Sequence, residues 1–242
     1  MSALLEVCVD SAEGLNAAIE GGAGRIELCS ALDLGGLTPS KGLMTQAAKA
    51  PVPVYAMIRP RAGDFVFDSA SREVMLADID AVRESGLAGV VLGVSGPDGR
   101  LDIDLLAVLA KQADGMGRTL HRAFDLVPDP FEAVEQAIEL GFERILTSGQ
   151  AAKVPDGKTV LRRLVDQADG RISIMAGGGI TPENVAAIII ESGVCEVHAS
   201  CRRPETFVDE ALVRFGFASQ QGYSTDAGIV RKMLGALRDL VE

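Results

Sequence analysis

The sequence predicts an α/β protein, a closed (β/α)8 TIM barrel with a C-terminal extension. Three observations predict it. Strand-like and helix-like patterns alternate along almost the whole chain of 242 residues. The strand-like runs are short, apolar and rich in Val, Ile and Leu, as parallel strands covered on both faces must be. The first run is not followed by the G-x-G-x-x-G turn of an open dinucleotide-binding sheet, which favours closure. The length is ordinary for such a barrel, and a composition that is 48% hydrophobic supplies one large core.

The eight strands are read in order. They are LLEVCV from Leu4, RIELC from Arg25, PVYAMIR from Pro53, GVVLGV from Gly89, RTLHRAFD from Arg118, RILTSG from Arg144, RISIMAGG from Arg171 and EVHASC from Glu196. Helical stretches between them run from Ser11 to Gly21, Arg72 to Gly86, Pro130 to Gly141 and Pro182 to Gly193. Asp129-Pro130 and Thr181-Pro182 read as a cap followed by proline at the first helical position. The barrel is expected over residues 1–201. Residues 202–242 are expected to form a long loop carrying Phe215 and Phe217, then an amphipathic helix from Asp226 to Val241 that packs on the barrel. That loop reads alternatively as a lid or a subunit contact, and a homodimer is the assembly considered.

Charge narrows the partners. The chain has 34 acidic and 23 basic side chains, a net charge of -11. Such a surface repels nucleic-acid backbones and anionic lipid, so neither nucleic acid nor membrane is an expected partner. No apolar run is long enough to cross a bilayer. The N-terminal MSALLEVCVD enters a strand directly and has no basic region of a signal peptide. Cys8, Cys29, Cys195 and Cys201 form no C-x-x-C pair, which fits a reducing cytoplasm and argues against structural zinc.

Catalytic groups in such barrels sit at the C-terminal ends of the strands. Both histidines of the chain, His121 and His198, fall there. Alternation along a strand groups Glu6 with Cys8, Glu27 with Cys29, His121 with Asp125, and His198 with Ser200, and puts Arg122 on the opposite face. An inward Glu or His must be paired, so Glu6 or Glu27 bound to an arginine is the plain structural reading. The functional reading makes His121, Glu27, Asp125 and His198 an acid–base set. Arg59 and Arg61 end the third strand and present guanidinium forks to a carboxylate or phosphate, or else pair with Asp64. Gly177, Gly178 and Gly179 allow close approach of an anion to a helix N-terminus, or make a tight turn. The other half of such a phosphate site lacks its glycines here, with Arg202 and Arg203 as substitutes. Thr147 and Ser148 donate to a ligand or cap a turn. Cys8 and Cys29 read as two soft ligands for Cu(I), or as small buried hydrophobes.

The motifs ALLEVCVDS, GAGRIELCSALDLGGLTPS, IRPRAGDF, TLHRAFD, ILTSGQ, MAGGGI and EVHAS are long and occur in a fixed order. In them the chain resembles the copper homeostasis protein CutC family, to about Ala199. The resemblance implies a cytoplasmic TIM barrel that handles copper, with Cys8 and Cys29 as the Cu(I) ligands. The residues themselves leave a second reading open. A mouth with Arg59, His121, Asp125 and His198 is more polar than a two-thiol carrier needs. It fits an enzyme, a lyase, isomerase or hydrolase, acting on a small phosphorylated or carboxylated metabolite.

Overall fold

The structure, a computed structural model, describes residues 3–206 and 209–240. Eight parallel strands close into a barrel in sequence order, with the first strand paired to the eighth. They are β1 (Leu4–Val9), β2 (Arg25–Leu28), β3 (Val54–Met57), β4 (Gly89–Leu92), β5 (Gly117–Leu120), β6 (Arg144–Thr147), β7 (Ser173–Gly177) and β8 (Glu196–Ala199). The helices that follow the first seven are α1 (Ala12–Gly21), α2 (Lys41–Ala47), α3 (Ser69–Ser85), α4 (Ile103–Gln112), α5 (Pro130–Glu139), α6 (Val154–Ala168) and α7 (Val185–Ser192). Asp129 caps α5, accepting from the N–H groups of Phe131 and Glu132, and Pro130 opens the helix.

Alternation divides each strand between two environments. Leu5, Val7 and Val9 of β1, and Ile26 and Leu28 of β2, belong to the apolar layer under the helices. The opposite faces turn into the barrel. There the strand register pairs Glu6 with Arg25, Cys8 with Glu27, and Glu6 with His198. The interior therefore begins with an ionic layer. Arg25 bridges Glu6 and Glu196, and Arg144 lies 3.3 Å from Glu196. Tyr55 spans the same level and donates to Glu143 (2.8 Å). Its ring passes where a Cβ would stand at Gly89 and Gly117, so both strands need glycine there.

The C-terminal region differs from a plain loop and helix. After β8 come β9 (Arg202–Thr206), the short α8 (Glu210–Arg214) and β10 (Gln221–Thr225), with β9 and β10 antiparallel. Phe215, Phe217 and Tyr223 on this excursion are exposed. Then α9 (Ala227–Arg238) packs between α1 and α7 and touches β1. Gly21 leaves room for Val230 at that contact. The last helix thus occupies the eighth place in the helical ring, and the two-stranded excursion is inserted between β8 and its helix. The expected helix end at Val241 lies outside the described residues. No helix among those described is long and apolar enough to cross a membrane.

Candidate functional site

A cavity of about 350 Å³ opens at the C-terminal ends of the strands. Cys8, Glu27, His121 and His198 line it from the barrel interior. Arg59 and Phe65, and across from them Arg122, Gly178 and Gly179, come from the loops above.

Cys8, Glu27 and His198 form its tightest group. One sulfur, one carboxylate oxygen and one ring nitrogen lie within 4.8 Å of one another. His198 Nδ1 bonds Glu6 Oε1 at 2.8 Å, and its Nε2 lies 3.8 Å from Glu27 Oε2. With the proton on Nδ1, Glu6 fixes the ring and leaves Nε2 to face Cys8 and Glu27, the arrangement that orients metal-binding histidines. Burial opposes the charge of Glu6, but His198 and Arg25 hold its pKa down to about 2. Burial also works against a charged His198. Cys8 and Glu27 beside it, and its bonds to Cys8 and Glu6, nevertheless raise its pKa well above the ordinary value. Glu27 is pushed up, chiefly by burial, and its Oε1 has no hydrogen-bond partner among the described residues.

Cys29 is not in this group. It is fully buried against Tyr55, Met57 and Val91, with Gly36 packed over its sulfur. Its thiol lies 3.5 Å from Glu27 Oε2 and is held protonated, because burial and then the Glu27 charge raise its pKa well above normal.

His121 directly follows β5, at the start of the next turn, and is 3% exposed. Its Nδ1 accepts from the Ala123 N–H at 3.1 Å, so the ring proton of the neutral form sits on Nε2. Nε2 has no partner. The ring lies where a Cβ at Gly93 would come within 2.5 Å, and Phe65 packs against it at a tilt, with ring centres 4.8 Å apart. Burial, with the Arg59 charge adding, lowers its pKa to about 3. Arg59 spends its fork on the carbonyls of Leu34, Gly36 and Gly63 and so ties two loops together.

The chain turns into a tight helical bend at Arg122–Leu126 directly after His121. Strand alternation stops there. Arg122 consequently faces the cavity, and Asp125 lies behind the wall. Asp125 accepts from Thr147 (2.5 Å) and from the N–H groups of Ser148 and Gln150 (both 3.1 Å), and it pairs with Arg122 at 2.7 Å.

The CutC family model matches residues 3–203. A family protein CutC from Sinorhizobium medicae is 58% identical over 97% of this chain and 96% of its own. One from Caulobacter vibrioides is 53% identical, with 98% of each chain covered. The chain belongs to the CutC family. A solved CutC structure from Streptococcus agalactiae, from a protein named for copper homeostasis, superposes with a TM-score of 0.79 at 32% identity. It covers 82% of this chain and 98% of that one. A thiamine phosphate pyrophosphorylase from Pyrococcus furiosus shares the barrel at a TM-score of 0.61 and 15% identity, a likeness of fold alone; it covers 99% of this chain and 98% of its own.

Several expectations change in this CutC-family chain. Cys8 keeps company with Glu27 and His198 and not with Cys29. Asp125, Thr147 and Ser148 bind one another and do not line the cavity, because the bend after His121 carries Asp125 away from the mouth. Arg61 is surface-exposed and paired with Asp64 at 2.7 Å. Arg59 reaches the cavity wall, but its terminal nitrogens hold loops. Gly177 is a packing glycine against Leu146 and His198, whereas Gly178 and Gly179 do line the cavity. Arg122 and Phe65 were missed. The proline-free RAFD stretch carries no sign of the bend that turns Arg122 inward.

Proposed function

We propose that this chain serves copper homeostasis by taking Cu(I) at the barrel mouth through Cys8 and His198, with Glu27 beside them. The observation that carries the reading is the convergence of those three donors within 4.8 Å. A thiolate suits a soft monovalent ion, and an imidazole is an acceptable second ligand. Glu6 holds the His198 ring with Nε2 presented. Loading displaces the proton that His198 carries between its acidic neighbours, so the affinity falls as pH falls. The S. agalactiae relative's name supports the role. We further propose a reducing cytoplasmic location, a reading that four unpaired cysteines support.

The test is an anaerobic Cu(I) competition titration of reduced protein. Wild type binds near one equivalent, Cys8→Ser and His198→Gln lose that binding, and Cys29→Ser retains it. Loss in Cys29→Ser equal to that in Cys8→Ser would restore the two-cysteine ligand set. Binding indifferent to all three substitutions would remove copper from this site.

One observation favours a second reading. The cavity is larger than an ion needs, and Glu27 Oε1, His121 Nε2 and Arg59 Nε are buried in its wall without partners. These features support an enzyme site for a small phosphorylated or carboxylated metabolite, with Glu27 and His198 exchanging protons. Metabolite retained by the purified chain, identified by mass spectrometry, would favour it. A chain that retains none and gains no stability from phosphorylated or carboxylated compounds would count against it.

A further inference from the structure

The mouth holds several donors that have no partner among the described residues. Arg122 is anchored at two nitrogens, Nε on Asp125 (2.7 Å) and Nη2 on Ser148 (2.7 Å). Its Nη1 has no partner among the described residues and hangs over Gly178, 3.2 Å from where a Cβ would stand. Gly178 and Gly179 have φ of +119° and +76°, and no described residue accepts their N–H groups. The stem of Lys153 lies against Gly179. This is a cradle that only glycine leaves open, with a fixed guanidinium above it.

The independent observation is His121 on the same cavity. Its Nδ1 is occupied as an acceptor, so its Nε2–H is a buried donor with no acceptor among the described residues. A buried unsatisfied donor is costly, and the ring cannot swing away from it, being packed between Gly93 and Phe65.

We propose that the mouth recognises a small organic oxyanion at two points. Its phosphoryl or carboxylate group sits on Arg122 Nη1 and the N–H groups of Gly178 and Gly179. A carbonyl or hydroxyl oxygen of the same molecule accepts from His121 Nε2–H. His121 is therefore a neutral hydrogen-bond donor and not the acid–base group that its place on the strand implies. The inference rests on the metabolite reading; none of these residues belongs to the Cys8–Glu27–His198 group.

Inorganic phosphate and acetate are titrated into the reduced full chain by calorimetry, wild type beside Arg122→Gln. At least one anion binds saturably to wild type and about tenfold more weakly to the variant, which corresponds to ~1.4 kcal/mol. Which anion binds separates phosphoryl from carboxylate recognition. Because Arg122 also ties down Asp125 and Ser148, a second measurement uses the unaltered chain. The bound anion slows phenylglyoxal modification of Arg122, read by peptide mass. Anion binding that is indifferent to Arg122→Gln and leaves Arg122 unprotected overturns the seat while sparing the metabolite reading. Binding of neither anion overturns both. For the second point, glycerol phosphate shifts the His121 Nε2–H resonance, one of two histidines in the spectrum, and inorganic phosphate does not. A resonance unmoved by glycerol phosphate overturns the His121 contact.

Discussion

The base and the mouth of this barrel are built from similar residues and end in opposite states. At the base, Arg25 joins Glu6 to Glu196, Arg144 donates to Thr119 (3.1 Å), and both guanidinium groups lie over the Tyr55 ring, 5.8 and 4.7 Å from its centre. Arg144 Nε lacks a hydrogen bond there, yet it lies 3.3 Å from the Glu196 carboxylate. At the mouth, Glu27 and His121 are as deeply buried, and each leaves a polar atom bare. Native proteins satisfy nearly all buried polar groups, and this contrast is what supports the ligand readings proposed for the mouth. Polar residues inside one barrel thus divide into those that pair with one another and those that keep an atom unpaired among the described residues.

The sharpest way to break this comparison is to remove one member from each end. Arg25→Met leaves the buried Glu6 with His198 alone and the half-buried Glu196 with Arg144 alone, and the expected loss is about 3 kcal/mol, the lower end for a broken buried pair. Glu27→Gln removes a charge that burial opposes, and it is expected to leave stability unchanged or raised. Urea unfolding of the two variants checks both. Equal losses would mean that Glu27 is as structural as Glu6. The next effect is steric. Gly117→Ala places a methyl group against Tyr55 at the base, and overpacking of this kind costs about 1–3 kcal/mol.

Most of the fold was legible because it rests on local pattern. The eight apolar runs and the caps at Asp129-Pro130 are properties of neighbouring residues. The place of α9 was not legible, since the β9–β10 excursion separates it from β8 and hides it as an appendix. In the site, Cys8, Glu27, His121 and His198 were legible because strand parity holds through those positions. Parity fails one residue beyond His121, where the chain bends, and there Arg122 and Asp125 exchange the sides expected of them. Which partner each inward group takes was also beyond the sequence. Glu6 and Glu27 are alike in pattern, but only Glu6 meets Arg25.

Acid separates the two regions by pH. Glu6 has a folded pKa of about 2 against an ordinary value of 4.5, so the stability it contributes is present above 4.5 and lost as pH falls toward 2. His121 acts higher. Its folded pKa of about 3 lies below the ordinary 6.5, so between those values the unfolded chain binds a proton that the native ring refuses. Stability therefore falls on acidification through that window, and nothing is lost above it. His121→Gln is expected to flatten the decline between pH 6.5 and 4.5 and to leave the lower limb, set by the base, in place. Denaturant midpoints of wild type and variant across that range measure the difference. Parallel curves would show that the ring is protonated in the native state and that its Nδ1 is no acceptor.

The smallest effect is expected where a sequence reading and the structure part most plainly. Arg61 looks equivalent to Arg59, two residues away on the same parity. Arg59 is buried and joins the carbonyls of Leu34, Gly36 and Gly63, whereas Arg61 pairs with Asp64 in solvent. Exposed ion pairs contribute roughly 0–1 kcal/mol and are screened by salt. Arg61→Ala is therefore expected to shift the unfolding midpoint little, with no change in Cu(I) or anion binding. Arg59→Ala is expected to free the loops around residues 34–36 and 63 and to weaken ligand binding through them. If Arg61→Ala instead abolished anion binding, the loop carrying Asp64 would have to fold over the mouth and form part of its wall.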